Sequence, residues 1–125
     1  MNDQIQSEIQ AKGLNAPRVT PADIKAEVVS AHYFTAADGA LGAYKAGGDV
    51  HSGDAPNAAS VAALPLLTFC VLVLRNGFTV TGESACASPE NYNAEIGQKV
   101  ARQKAEEKIW PLLGFRLRDQ LAANN

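Results

Sequence analysis

Two β-rich runs, residues 66–75 and 78–84, flank the dipeptide Asn76-Gly77. Branched and aromatic side chains on both sides of an Asn-Gly predict an antiparallel β-hairpin. A two-residue turn pairs Arg75 with Phe78 and Val73 with Val80. That register places Phe69, Val71, Val73, Phe78 and Val80 on one face, which reads as core. Cys70, Leu72, Leu74, Thr79, Thr81 and Glu83 form the other face, apolar on the first strand and polar on the second. Such a face suits a sheet half covered by a helix or by another subunit.

Helical patterns surround the hairpin. Residues 3–12 predict a short helix with Asp3 as cap and Ile5 and Ile9 on one face, ended by Gly13. Thr20-Pro21-Ala22-Asp23 predicts a capped helix through about residue 29, with Ile24 and Val28 inward. A brief strand follows at residues 32–35. The stretch 36–63 is rich in Ala, Gly, Asp and Pro without a sustained period, and reads as one long surface loop. Ser88-Pro89-Glu90-Asn91 opens a long helix over residues 89–110, closed by Pro111. Ala94, Gly97, Ala101 and Ala105 give it a narrow small-residue face fit for close approach to a sheet or to a symmetry-related helix. Leu112, Leu113, Leu117 and Leu121 suggest a final short helix, with a strand as the alternative. The expected fold is a single α+β domain over 1–125, a small antiparallel sheet built on the hairpin and packed by the long helix.

Composition narrows the function classes. A chain of 125 residues makes one domain with a modest core, so a site is small or shared between subunits. The formal net charge of −2 offers no bulk attraction to DNA or to acidic membranes. The polar N-terminus argues against a secretory signal, and the longest apolar run contains Pro65 and is too short to span a bilayer. Two cysteines provide neither a disulfide scaffold nor a metal-ligand spacing, and the hairpin register sets Cys70 and Cys86 on opposite faces.

Candidate chemistry centres on residues 84–91. Cys86 precedes a helix start that could lower a thiol pKa, but neither His32 nor His51 is placed as its base, so it reads as a small buried hydrophobe. Amides and hydroxyls converging on a helix start could hold an anion. Pro89 removes one N–H and Glu90 adds a negative charge, so the alternative is that Ser88 and Asn91 simply cap the helix. Arg75 could reach a phosphate or stay solvated; Arg102 could do so or pair with Glu106. Lys108 could cover apolar surface beside Trp110. Tyr92 could stack a base or staple the helix. No nucleotide-binding Gly motif, nucleophile elbow or zinc-protease helix is present, and no catalytic residue or metal ligand is assigned.

The segment LLTFCVLVLRNGFTVTGESACASPENYNAEIG, the following KIWPLLGFRL and the earlier IKAEVVSAHYFTAADG resemble a family of small phage proteins that includes the Thoeris anti-defence protein 1 sponges. The likeness departs most between residues 43 and 62. It implies a binding protein without catalysis or cofactor, which captures a cyclic ADP-ribose isomer and in some members cyclic oligonucleotides. It further implies a homo-oligomer built from dimers, a hexamer among its forms, with pockets at subunit interfaces, working in the cytoplasm of the infected host bacterium. Asn91 and Lys108 carry over by their places in the Pro-x-Asn and Lys-Ile-Trp segments. Tyr92 is then the candidate for a base or ribose, and Arg75, Arg102, Lys108 and Ser88 are candidates for a pyrophosphate. The rival readings are a cyclic-nucleotide hydrolase and an accessory protein that grips a host protein.

Overall fold

Alternation of buried and open positions dictates the centre of the molecule. The computed structural model describes residues 3–47 and 53–124. Strands β1 (Val28–Thr35), β2 (Leu67–Leu74) and β3 (Thr79–Ala85) form an antiparallel sheet in that order. Helices α1 (Asp3–Ala11) and α2 (Pro21–Glu27) precede β1, α3 (Ala36–Ala46) and α4 (Ala58–Ala63) separate β1 from β2, and α5 (Ala94–Glu107) and α6 (Ile109–Ala123) follow β3. The architecture is α+β: a small antiparallel sheet with the long helix α5 across one face and the other helices around it.

The hairpin forms, but its turn has three residues. Leu74 N–H donates to the Phe78 carbonyl at 2.8 Å, and Gly77 N–H donates to the Leu74 carbonyl at 2.9 Å. Gly77 takes φ 88°, the left-handed conformation that closes such a loop, and Asn76 Oδ1 accepts from Phe78 N–H at 3.0 Å. Leu72 therefore pairs with Val80 and Val73 with Thr79, one residue away from the two-residue register. Because side chains alternate with period two, that slip exchanges the faces of β3. The core face is Cys70, Leu72, Leu74 and Val80, and Phe78 turns outward with 56% of its surface exposed. Phe69, Val71 and Val73 share the opposite, partly open face with Thr79, Thr81 and Glu83, correcting the expectation that they form the core.

The small-residue face of α5 packs on the sheet. Gly97, Ala101 and Ala105 are buried there, beside Ile109 and Leu113 of α6 and Ile24 of α2. Gly82 on β3 lies directly under the helix backbone. The expected 89–110 helix is divided. Pro89–Asn91 forms a 3-10 turn, Tyr92 is extended, and Asn93 is the true cap, its Oδ1 accepting from Ile96 N–H at 3.0 Å. At the other end Lys108 is the C-cap of α5, and α6 begins anew with Pro111 in its first turn, where a missing N–H leaves no helical bond unmade.

The stretch expected as a loop over 36–63 holds α3 and α4. Each starts with a reciprocal capping box, Thr35 with Asp38 and Asn57 with Ser60, and alanine supplies the propensity. Neither helix buries a residue, which is why no hydrophobic period announced them. Thr20 and Asp23 cap α2 as expected. In α1 the inward residue is Gln6, whereas Ile5 is 44% exposed, against the expected Ile5/Ile9 stripe.

Candidate functional site

Where β2 begins and β3 ends, the sheet, the 3-10 turn and the start of α5 enclose a cavity of about 190 Å³. The chain is fixed there by backbone bonds: Cys86 N–H to the Leu66 carbonyl at 3.0 Å, Asn91 N–H to Ser88 at 3.0 Å and Tyr92 N–H to Pro89 at 3.2 Å. Ser84, Cys86, Asn91 and Tyr92 line the cavity, and Thr68 and Gly97 meet at its base. Asn91 is exposed and Tyr92 half-buried, so an amide and an aromatic ring stand at the rim.

Thr68 is the unusual member. It is 2% exposed, and its Oγ1 has no hydrogen-bond partner among the described residues. A side chain on Gly97 would come within 3.1 Å of that oxygen, so glycine is what leaves room beside it. A buried hydroxyl without a partner costs about 1–3 kcal/mol, and such groups concentrate where a water or ligand completes them.

Among the described residues no histidine stands beside Cys86. Cys86 Sγ donates to the Ser88 carbonyl at 3.1 Å, while His32 bonds Ser30 at 3.0 Å on the far face of the sheet. His51 falls outside the described residues. Among the described residues no cluster of three or more His, Cys, Asp or Glu could hold a metal ion, and no helix is long and apolar enough to cross a membrane. Ser88 donates to Glu90 Oε2 at 2.9 Å and makes no side-chain cap bond. The backbone N–H of Glu90 and that hydroxyl hold the Glu90 carboxyl below its ordinary range, which sets a negative charge close to Ser88.

The sequence candidates fall in separate places. Asn91 and Tyr92 share the cavity, with Ser88 on the adjoining turn. Lys108 lies at the opposite end of α5, roughly 22 Å away at 1.5 Å per residue. Arg75 sits at the turn end of the hairpin, also on the order of 20 Å from the cavity at about 3.3 Å per strand residue. Arg102 projects from the middle of α5, its Nε on Glu106 at 2.7 Å and its Nη1 on the Tyr33 hydroxyl at 3.4 Å. Those partners, Glu106 first, raise its pKa further. Within one chain, then, all three cations named for a pyrophosphate are remote from Asn91. Thr68 and Gly97 were missed as site residues, although a threonine among the core-facing positions of an otherwise apolar strand was a signal.

Residues 19–121 match the family model described as Phage protein (N4 Gp49/phage Sf6 gene 66) family. No curated protein and no solved structure matches the chain.

Proposed function

The chain belongs to the Phage protein (N4 Gp49/phage Sf6 gene 66) family, and from that premise we propose that it is a sponge for a host immune cyclic nucleotide. The ligand class is a cyclic ADP-ribose isomer, or a cyclic oligonucleotide, held intact in the cytoplasm of the infected bacterium. The observation that carries this reading is the cavity between Thr68 and Tyr92. It has a half-buried ring for a base, an exposed amide for its edge or for a ribose, and a buried hydroxyl without a partner among the described residues. Among the described residues no base is paired with a nucleophile there, which suits retention better than hydrolysis.

At about 190 Å³ the cavity is smaller than the roughly 300–1,000 Å³ that encloses a drug-sized ligand. A second copy of the chain completes it in this reading, and brings to the rim Lys108, which a single chain keeps roughly 22 Å away. The mechanism is mass action: the protein must be abundant relative to the signal and bind it tightly, so that the host effector sees little free ligand.

The test is to incubate the protein with cyclic ADP-ribose isomers and cyclic oligonucleotides, remove unbound material, denature by heat and identify what is released by mass spectrometry. Intact ligand in stoichiometric amount is expected. A cleaved product points to a hydrolase instead. Nothing released shifts attention to the second reading, a host-protein inhibitor. That reading rests on the partly open sheet face, where Phe34 and Phe69 stack at 5.7 Å between centroids.

A further inference from the structure

At the turn end of the hairpin lies a second cavity, of about 310 Å³, walled by Arg18, Arg75 and Arg116. The three come from separate parts of the chain: the α1–α2 connection, the β2–β3 turn and α6. The carboxylates beside them are already engaged. Glu27, 5% exposed, accepts from Arg116 Nη1 at 2.9 Å and Nη2 at 3.3 Å. Asp23 Oδ2 accepts from the Thr20 N–H at 2.8 Å and from its hydroxyl at 3.0 Å.

The arginines are less fully used. A guanidinium has five N–H donors; Arg18 uses Nη1 on Gln6 Oε1 at 2.7 Å, and Arg116 spends one donor on each oxygen of Glu27. The exposed Arg75 side chain makes no hydrogen bond or ion pair with any described residue, although its charge helps to hold the Glu27 carboxyl low. Three guanidinia against two carboxylates leave one positive charge in excess. Val19, Leu113 and Leu117 complete the wall with apolar surface.

We propose that this cavity is a binding site for a phosphate-type oxyanion, held by the spare donors of Arg18, Arg75 and Arg116. Planar guanidinia approaching from three elements match an anion with oxygens in several directions better than a flat carboxylate. The single excess charge makes the site weak and its binding sensitive to salt. It lies at the other end of the hairpin from the Asn91 cavity, so it stands or falls independently of the sponge reading.

The test is calorimetric titration of the full chain with inorganic phosphate and, separately, phenyl phosphate, in low-salt buffer. Wild type is expected to bind one equivalent saturably, Arg75→Gln about tenfold more weakly, and Arg75→Lys between the two, since a point charge replaces the planar fork. Asn91→Trp should bind as wild type does. Tighter binding of phenyl phosphate identifies an organic phosphate lying on the apolar wall, and equal binding identifies free phosphate; both support the site. No saturable binding by wild type, an Arg75→Gln variant equal to wild type, or an Arg75→Lys variant equal to wild type would overturn it. So would loss of binding in Asn91→Trp alone.

Discussion

Gly82 and Ala105 meet with no side chain between strand and helix: a Cβ on Gly82 would lie 2.5 Å from the Ala105 backbone nitrogen and closer still to the Ala101 carbonyl oxygen. The sheet and the backbone of α5 are thus in direct contact, and the alanines of that helix face are there to permit it. Gly82→Ala is expected to push the helix off the sheet and cost about 3 kcal/mol, the upper range for overpacking. Chemical denaturation should show a lower midpoint with an unchanged slope.

Thr68 makes a contrasting prediction. Its hydroxyl is buried without a partner among the described residues, so Thr68→Val removes an unsatisfied group while preserving shape. The unliganded protein is expected to gain about 1 kcal/mol in thermal denaturation. In the sponge reading the same variant binds its ligand more weakly, a separation of stability from affinity that a purely structural threonine would not give.

Glu27 predicts a specific acid sensitivity. The Arg116 hydrogen bond, chief among its partners, outweighs burial and holds the carboxyl below its ordinary range. The folded pKa is depressed, so its contribution is present above the unfolded value of about 4.3 and is lost as pH falls through the lower folded value. Stability measured against pH should fall less steeply below about pH 4.3 in Glu27→Gln than in wild type. Arg116→Leu leaves the carboxylate buried and unpaired, and is expected to cost about 2–3 kcal/mol at neutral pH, below the full buried-pair figure because Arg116 is half exposed.

The two thiols should separate under alkylation. Burial raises the Cys70 pKa and removes the side chain from solvent, whereas Cys86 is half-buried at the cavity. Native protein treated with iodoacetamide is expected to gain a single adduct, at Cys86, by peptide mass mapping. Bound ligand should slow that reaction. Modification of Cys70 before unfolding would contradict the packing of β2 beneath α5.

Much of this fold was legible because hydrophobic pattern and turn chemistry agreed. Asn76-Gly77 marked the hairpin, and the Ala101/Ala105 spacing marked the face that α5 lays on the sheet. What failed was register: Asn-Gly suits both a two-residue turn and the three-residue loop found here, and local sequence does not choose between them. The capping boxes of α3 and α4 were in the sequence, but their exposed alanines carry no period to draw attention. At the site, Asn91 and Tyr92 were readable from their place before a helix. The orphan hydroxyl of Thr68 was not, since being unpartnered is a property of the folded neighbourhood and not of a residue type.

The central claim is that the cavity at Asn91 takes up a cyclic nucleotide. The most direct measurement is calorimetric titration of wild type and of Asn91→Trp with a cyclic ADP-ribose isomer, each protein first checked for an unchanged thermal transition. Asn91 is exposed at the rim, so the tryptophan should fill the cavity without disturbing the core. The account predicts tight stoichiometric binding by wild type and at least about a hundredfold weakening, some 2.7 kcal/mol, in the folded variant. Equal binding by the two proteins would contradict the assignment of this cavity, and no binding by wild type would contradict the assignment of this ligand.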